Sequence, residues 1–128
     1  MQTRILHIFT ELETTNGVAN YIMNHYINLN DKDFKVDFLV FKGVNQYYLD
    51  LITKRGDRVL QANTDILHSS LKKKSHAKEI FSKFKYDIVH THNVNFALPY
   101  LKEAKKALVP VRIFHSHFTK TSVKPLRR

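Results

Sequence analysis

A chain of 128 residues, 43% apolar and 25% charged, is long enough for one core-forming domain and too ordinary in composition to be fibrous or disordered. Zero Cys exclude disulfides, thiolate nucleophiles and cysteine-based zinc sites, and no apolar run exceeds the four residues Phe38–Phe41, too few for a spanning helix. The net charge of +10 is lopsided: residues 1–71 carry 7 basic against 8 acidic side chains and residues 72–128 carry 14 against 3, which points the second half toward an anionic partner.

In chain order, the first apolar run, Arg4–Phe9, reads as a strand. Glu11 and Glu13 follow it too soon for the apolar region of a signal peptide, so a cytoplasmic location is expected. Val18, Tyr21, Ile22, His25, Tyr26 and Leu29 then recur at helical spacing. Lys35–Phe41 is a second strand, Tyr47–Lys54 a weaker helix and Arg58–Leu60 a third strand. Lys72–Lys85 is a basic helix with the apolar stripe Ala77, Ile80, Phe81 and Phe84. A fourth strand, Asp87–Val89, a helix through Ala97, Leu98, Leu101, Ala104 and Leu108, and a fifth strand, Val111–Phe114, complete the alternation. Strands separated by helices need crossover connections, hence a parallel sheet. The expected fold is a Rossmann-like α/β domain with about five parallel strands in the order 3-2-1-4-5 and helices on both faces. No internal boundary is expected within 1–128, and Lys120–Arg128 reads as the start of an unfinished connection.

Open parallel sheets bind ligands beyond the C-terminal ends of their strands. There the first strand leads through Asn16 into Gly17 and a helix, whose free N–H groups favour an anion. The fourth strand ends in His90-Thr91-His92 and the fifth in His115-Ser116-His117, so four of the eight histidines fall at two strand ends. The i, i+2 pairs His90/His92 and His115/His117 put both rings on one strand face. With no Cys and no carboxylate in either motif, no metal site is expected. The chain lacks Gly-x-Gly-x-x-Gly after the first strand, a Walker-type Gly-Lys-Ser/Thr, and an Asp after the third strand, where Leu60-Gln61-Ala62 stands. A dinucleotide fold, a nucleotide-triphosphate loop and a phosphorelay receiver are thereby disfavoured.

The ordered set Arg4-Ile5-Leu6-His7-Ile8, Asn16-Gly17-Val18, Asp87-Ile88-Val89-His90-Thr91-His92 and Arg112-Ile113-Phe114-His115-Ser116-His117 resembles the N-terminal half of retaining GT-B glycosyltransferases. It is most similar to the family 4 type of bacterial capsule, exopolysaccharide and teichoic acid synthesis. The resemblance implies a Rossmann-like domain that holds an acceptor, glycan or polyprenyl-linked, and works with a C-terminal domain that binds a nucleotide-sugar donor and is absent from this chain. It implies metal-independent transfer with no cofactor other than the donor substrate. Gly17 matches the second glycine of the family's turn against the donor phosphates, with Asn16 in place of the first. His115 matches the catalytic-site histidine beside the transferred sugar, and His90 and His92 match the pair lining the acceptor side. Ser116 and Thr119 adjoin His115 and can supply further hydrogen bonds, and Ser116 and His117 are further candidates for donor or acceptor binding.

Lys72, Lys73, Lys74 and Lys78 of the basic helix are candidates for contact with anionic lipid at the inner face of the cell membrane. The competing class is a non-enzymatic basic module for nucleic acid or an anionic membrane surface. Nucleic acid is not expected as a partner, because the aromatics fall at core periods rather than between the lysines.

Overall fold

The computed structural model describes residues 1–117. A five-stranded, wholly parallel sheet runs in the order β3-β2-β1-β4-β5. Its strands are β1 Thr3–Ile8, β2 Phe34–Val40, β3 Arg58–Gln61, β4 Ile88–Thr91 and β5 Val111–Phe114. The helices are α1 Gly17–Tyr26, α2 Gln46–Lys54, α3 Ser70–Lys83 and α4 Val94–Lys106. The expected class and strand order are those observed, while element ends move by one to three residues. A short 3-10 turn, Thr64–His68, was not expected and is started by the Asn63 side chain accepting from the Asp65 N–H. Thr119 and the stretch Lys120–Arg128 lie outside the described residues.

Strand alternation sorts the core into two layers. On one face Leu6, Ile8, Leu39, Phe41 and Val89 pack against Ala77, Ile80 and Phe81 of α3 and Phe96, Tyr100 and Ala104 of α4. On the other Val36, Phe38 and Val40 meet Ala19, Ile22, Met23 and Tyr26 of α1 and Ile52 of α2. Helices therefore cover both faces. Side chains start three of the four helices: Asn16 accepts from Ala19 N–H, Asn45 from Tyr47 N–H and Ser69 from Lys72 N–H. At the β1/β2/β3 side two buried carboxylates tie strands to helices and to each other. Asp37 receives both Arg58 Nε and Nη2, at 3.0 and 2.7 Å, and the Tyr86 hydroxyl; Asp57 receives the Tyr26 hydroxyl and the Val36 N–H. Burial, reinforced by these carboxylates, raises both tyrosines far above their ordinary pKa, so they act as fixed donors.

Pro99 sits inside α4 and cannot donate to the carbonyl one turn back, that of Asn95. That carbonyl instead accepts from Lys73 Nζ at 3.0 Å, so a lysine of α3 repairs the break in α4. At the sheet edge β5 exposes Val111, Ile113 and Phe114 among the described residues. No helix of the described chain is long and apolar enough to cross a membrane.

Candidate functional site

The register of the sheet collects histidines from three strands. His7 of β1 stands opposite His90 of β4, which stands opposite Ile113 of β5. His92 extends the line of β4, and His115 and His117 extend that of β5. Since Leu6, Ile8 and Val89 face α3 and α4, the alternate positions His7, His90 and His92 face the α1 side. The backbone ladder holds this geometry beyond the strands themselves, with His92 N–H donating to Ile8 O at 3.0 Å and His115 N–H to Thr91 O at 2.9 Å.

The five rings form one stack. His90 lies on His92 and His115 on His117, each pair 4.1 Å apart between centroids and inclined by 17°. His7 is sandwiched against Phe38 on one side and His90 and His92 on the other. Three ring-to-ring hydrogen bonds run through the stack: His7 Nδ1 to His92 Nε2 at 2.9 Å, His92 Nδ1 to His117 Nε2 at 2.8 Å, and His90 Nε2 to His115 Nδ1 at 3.2 Å. A neutral imidazole has one N–H and one bare nitrogen, so His92 donates to one neighbour and accepts from the other, and the sense of the whole line His7–His92–His117 is set at either end.

Neutrality follows from position. Burial first, then the neighbouring rings His90, His115 and His25, pushes His7 down to about 3. Burial and then His115 and His117 take His90 to about 4. His92, only 3% exposed, is driven lower still by burial and by its neighbours, and His117 is lowered by burial and His115. At neutral pH His7, His90, His92 and His117 thus offer both donors and acceptors without a fixed charge, a surface suited to hydroxyl-rich ligands. From α1, Tyr21 sets its ring edge-on against His115 at 5.2 Å and His117 at 5.1 Å.

Asn16 and Gly17 stand one turn before Tyr21, at the start of α1. Asn16 has extended backbone angles, φ −98° and ψ 121°, so the left-handed tolerance of Asn is not what the turn uses. Its side chain instead caps Ala19 N–H and donates to Glu11 Oε1 at 3.1 Å. Gly17 also has no positive φ, and an added Cβ would meet nothing within 4 Å among the described residues. Neither backbone conformation nor packing demands a glycine there, so the open space is available to a ligand. Gly17→Ala is expected to leave the melting temperature unchanged or stabilise the fold by about 0.4–1 kcal/mol, while raising the KM for a phosphate-bearing donor severalfold in a transferring enzyme. A fall in melting temperature would return Gly17 to a purely structural role.

The structure thus unites His90, His92, His115 and His117, and leaves the lysines elsewhere. α3 covers the opposite face of the sheet. There Lys72 pairs with Asp65 at 2.8 Å and Lys73 is committed to Asn95 O, whereas Lys74 lines a shallow cleft with Lys102, Lys106, Leu98 and Pro99. No hydrogen bond or ion pair of Lys78 occurs among the described residues. Ser116, between His115 and His117 in sequence, is exposed.

Two members were missed from sequence. His7 is inferable in retrospect, because the order 3-2-1-4-5 makes β1 the neighbour of β4 and the parallel register sets residue 7 beside residue 90. Tyr21 reads from its period as part of the apolar stripe of α1, yet it is 42% exposed and belongs to the histidine cluster. Asn93 adds a polar feature nearby: it precedes α4 without capping it, and its Oδ1 is buried without a partner among the described residues.

A parallel α/β sheet with its polar cluster at the C-terminal strand ends defines a ligand-binding Rossmann-like domain. Residues 15–128 match the family model of Glycosyltransferase Family 4, and the chain belongs to that family. It is accordingly a glycosyltransferase-type domain, with a sugar donor and an acceptor as its general substrates. Neither the curated proteins nor the solved structures gave a significant match.

Proposed function

We propose that this chain is the acceptor-side half of a retaining glycosyltransferase that transfers a sugar from a nucleotide-sugar donor to a glycan or polyprenyl-linked acceptor in the assembly of a cell-surface polymer. The carrying observation is the hydrogen-bonded five-histidine cluster at the C-terminal ends of β1, β4 and β5. His115 stands beside the transferred sugar, with Ser116 and His117 next to it. His90 and His92 line the acceptor side, and the N-terminus of α1 at Asn16 and Gly17 faces the donor phosphates. Transfer needs no divalent cation in this reading. The cluster presents nitrogen and no carboxylate oxygen, whereas the ions that usually assist diphosphate departure prefer oxygen ligands.

Donor recognition belongs to a second domain, so the purified 128-residue chain is expected to fold and to bind acceptor without turning over nucleotide sugar. Measurable sugar transfer or donor hydrolysis by the chain alone, assayed by release of nucleoside diphosphate, would overturn that division of labour.

The α3/α4 face suits the inner leaflet of a membrane in a cytoplasmic enzyme. Exposed Leu98 lies among Lys74, Lys102 and Lys106, which joins apolar contact to positive charge. Because Lys72 and Lys73 are already engaged, Lys74 and Lys78 carry more of the contact. Changing each to Gln is expected to weaken co-sedimentation with anionic vesicles about fivefold per residue, equivalent to about 1 kcal/mol, with the effect fading in high salt. Unchanged binding by the double variant would remove this surface from the reading.

A further inference from the structure

Each histidine pair alone offers a metal two ligands, with no Cys or carboxylate in either motif to add to them, so no metal site is expected from the sequence. Adjacent strands change that count. A ring nitrogen from each of His92, His115 and His117 lies within 4.8 Å of the others, and His7, His90 and His92 form a second such group. We propose that His92, His115 and His117 form a binding site for a divalent transition-metal ion of the Zn2+, Co2+ or Ni2+ type, with His7 and His90 as the outer partners that hold the ligand rings.

The argument begins with what the rings present. All the ligand atoms are imidazole nitrogens, which suit zinc, cobalt, nickel and copper, and none is the carboxylate or carbonyl oxygen that magnesium and calcium need. In a tetrahedral shell with zinc–nitrogen bonds of about 2.0–2.1 Å, neighbouring nitrogens stand roughly 3.4 Å apart. His92 Nδ1 and His117 Nε2 already lie 2.8 Å apart, aimed at one another across a hydrogen bond. Side-chain rotation at the end of β5, where His115 and His117 are only partly buried, brings the third nitrogen in. Water or a ligand oxygen completes the shell.

The second feature is the layer behind these ligands. A metal-bound imidazole binds best when its other N–H is held by an acceptor. With Nδ1 of His92 on the ion, its proton sits on Nε2, 2.9 Å from His7 Nδ1. With His115 bound through Nε2, its Nδ1 proton faces His90 Nε2 at 3.2 Å. Two of the three ligands therefore have a ready acceptor, and the line of hydrogen bonds needs only to lose the proton shared between His92 and His117 to a tautomer shift. The outer triad is chosen over His7, His90 and His92 because it lies at the open end of the stack, whereas His7 is wedged between Phe38 and the other rings. An ion there occupies His115 and so inhibits sugar transfer. That consequence rests on the function proposed above; the binding itself does not.

The test uses the metal-free 128-residue chain with no added histidine tag. Titration with Co2+ is expected to give one saturable site with the intense visible bands of tetrahedral coordination, and calorimetry with Zn2+ to give the same 1:1 stoichiometry, while Mg2+ gives no binding. His117→Gln, at the exposed end of the stack, should lower Zn2+ affinity at least tenfold with an unchanged melting temperature. His92→Gln should abolish the tetrahedral spectrum, and His7→Gln should weaken affinity about 10- to 100-fold with the stoichiometry kept. His68→Gln, outside the cluster, should change nothing. Absence of saturable Co2+ or Zn2+ binding by the folded chain would overturn the proposal, as would wild-type affinity in His117→Gln. Loss of binding in His7→Gln with none in His117→Gln would also overturn it, by moving the ion to the inner triad.

Discussion

Acidification from pH 7.5 to pH 5 is expected to lower the melting temperature of this chain steeply, and the reason lies in the histidine stack. His7 and His92 stay neutral in the folded protein because burial and mutual repulsion resist a proton, with His7 held down to about 3 against an ordinary 6.5. In the unfolded chain both take up a proton as the pH passes below that ordinary value. The unfolded state then binds more protons than the native state, so stability is complete above pH 6.5 and drains away below it, down toward the folded pKa values. Two such groups give a slope of about 3 kcal/mol per pH unit, large against the roughly 5–15 kcal/mol that stabilises a typical domain. Thermal melts by circular dichroism at pH 7.5, 6 and 5 measure it. His7→Gln should reduce the slope by about 1.4 kcal/mol per pH unit. A melting temperature that does not change between pH 7.5 and 5 would mean that the rings accept protons without cost.

His115→Ala in an intact enzyme containing this half is expected to lower turnover about 100- to 1,000-fold, the usual cost of losing one well-placed donor to developing charge. Three observations converge on the ring. Its backbone N–H extends the ladder of β4 and β5, which places it at the ligand end of the sheet. His90 and Tyr21 hold it from two directions. It also lies at the partly open end of the stack, where a sugar can reach it. In the retaining transfer proposed above, donation from this imidazole would steady the departing diphosphate as charge separates, and the acceptor proton would pass to that diphosphate. Folding should suffer far less than turnover, since the ring buries little core surface. Near-normal turnover at saturating donor and acceptor would leave His115 as a loop-steadying residue.

The fold was legible because its signals are local and repeated. Short apolar runs such as Lys35–Phe41 alternate with three-and-four spacings such as Ala77, Ile80 and Phe81, and only a parallel sheet joins strands at those separations. Four of the five clustered histidines were legible for the same reason, since His90 and His92, like His115 and His117, announce themselves within single strand ends. His7 did not, because one histidine in an apolar strand says nothing until its neighbour across the sheet is known. Tyr21 misled by fitting the helical stripe while sitting at its border, where the stripe turns from Met23 and Ile22 toward open rings. Lys73 misled in the opposite sense: the charge run suggested a free surface cation, and the Asn95 carbonyl that engages it, left without a helical donor by Pro99, lies 22 positions away in another helix.

The central position of β1 also sets a timetable for the nascent chain. Arg4 finds Asp87 and His7 finds His92 only after 83 and 85 intervening steps of sequence, so the first strand made is paired on its β4 side among the last. At a synthesis rate of about 5–20 residues per second, that wait lasts on the order of 4–17 s. Throughout it Leu6 and Ile8, fully buried in the finished sheet, have no β4 beside them, and the edge of β1 offers unpaired N–H and C=O groups to any passing strand. Parallel pairing over such separations is also intrinsically slow to nucleate. The histidine stack therefore comes into being only once β4 and β5 have been made, and until then the β4-side edge of β1 is open to pairing with other extended segments.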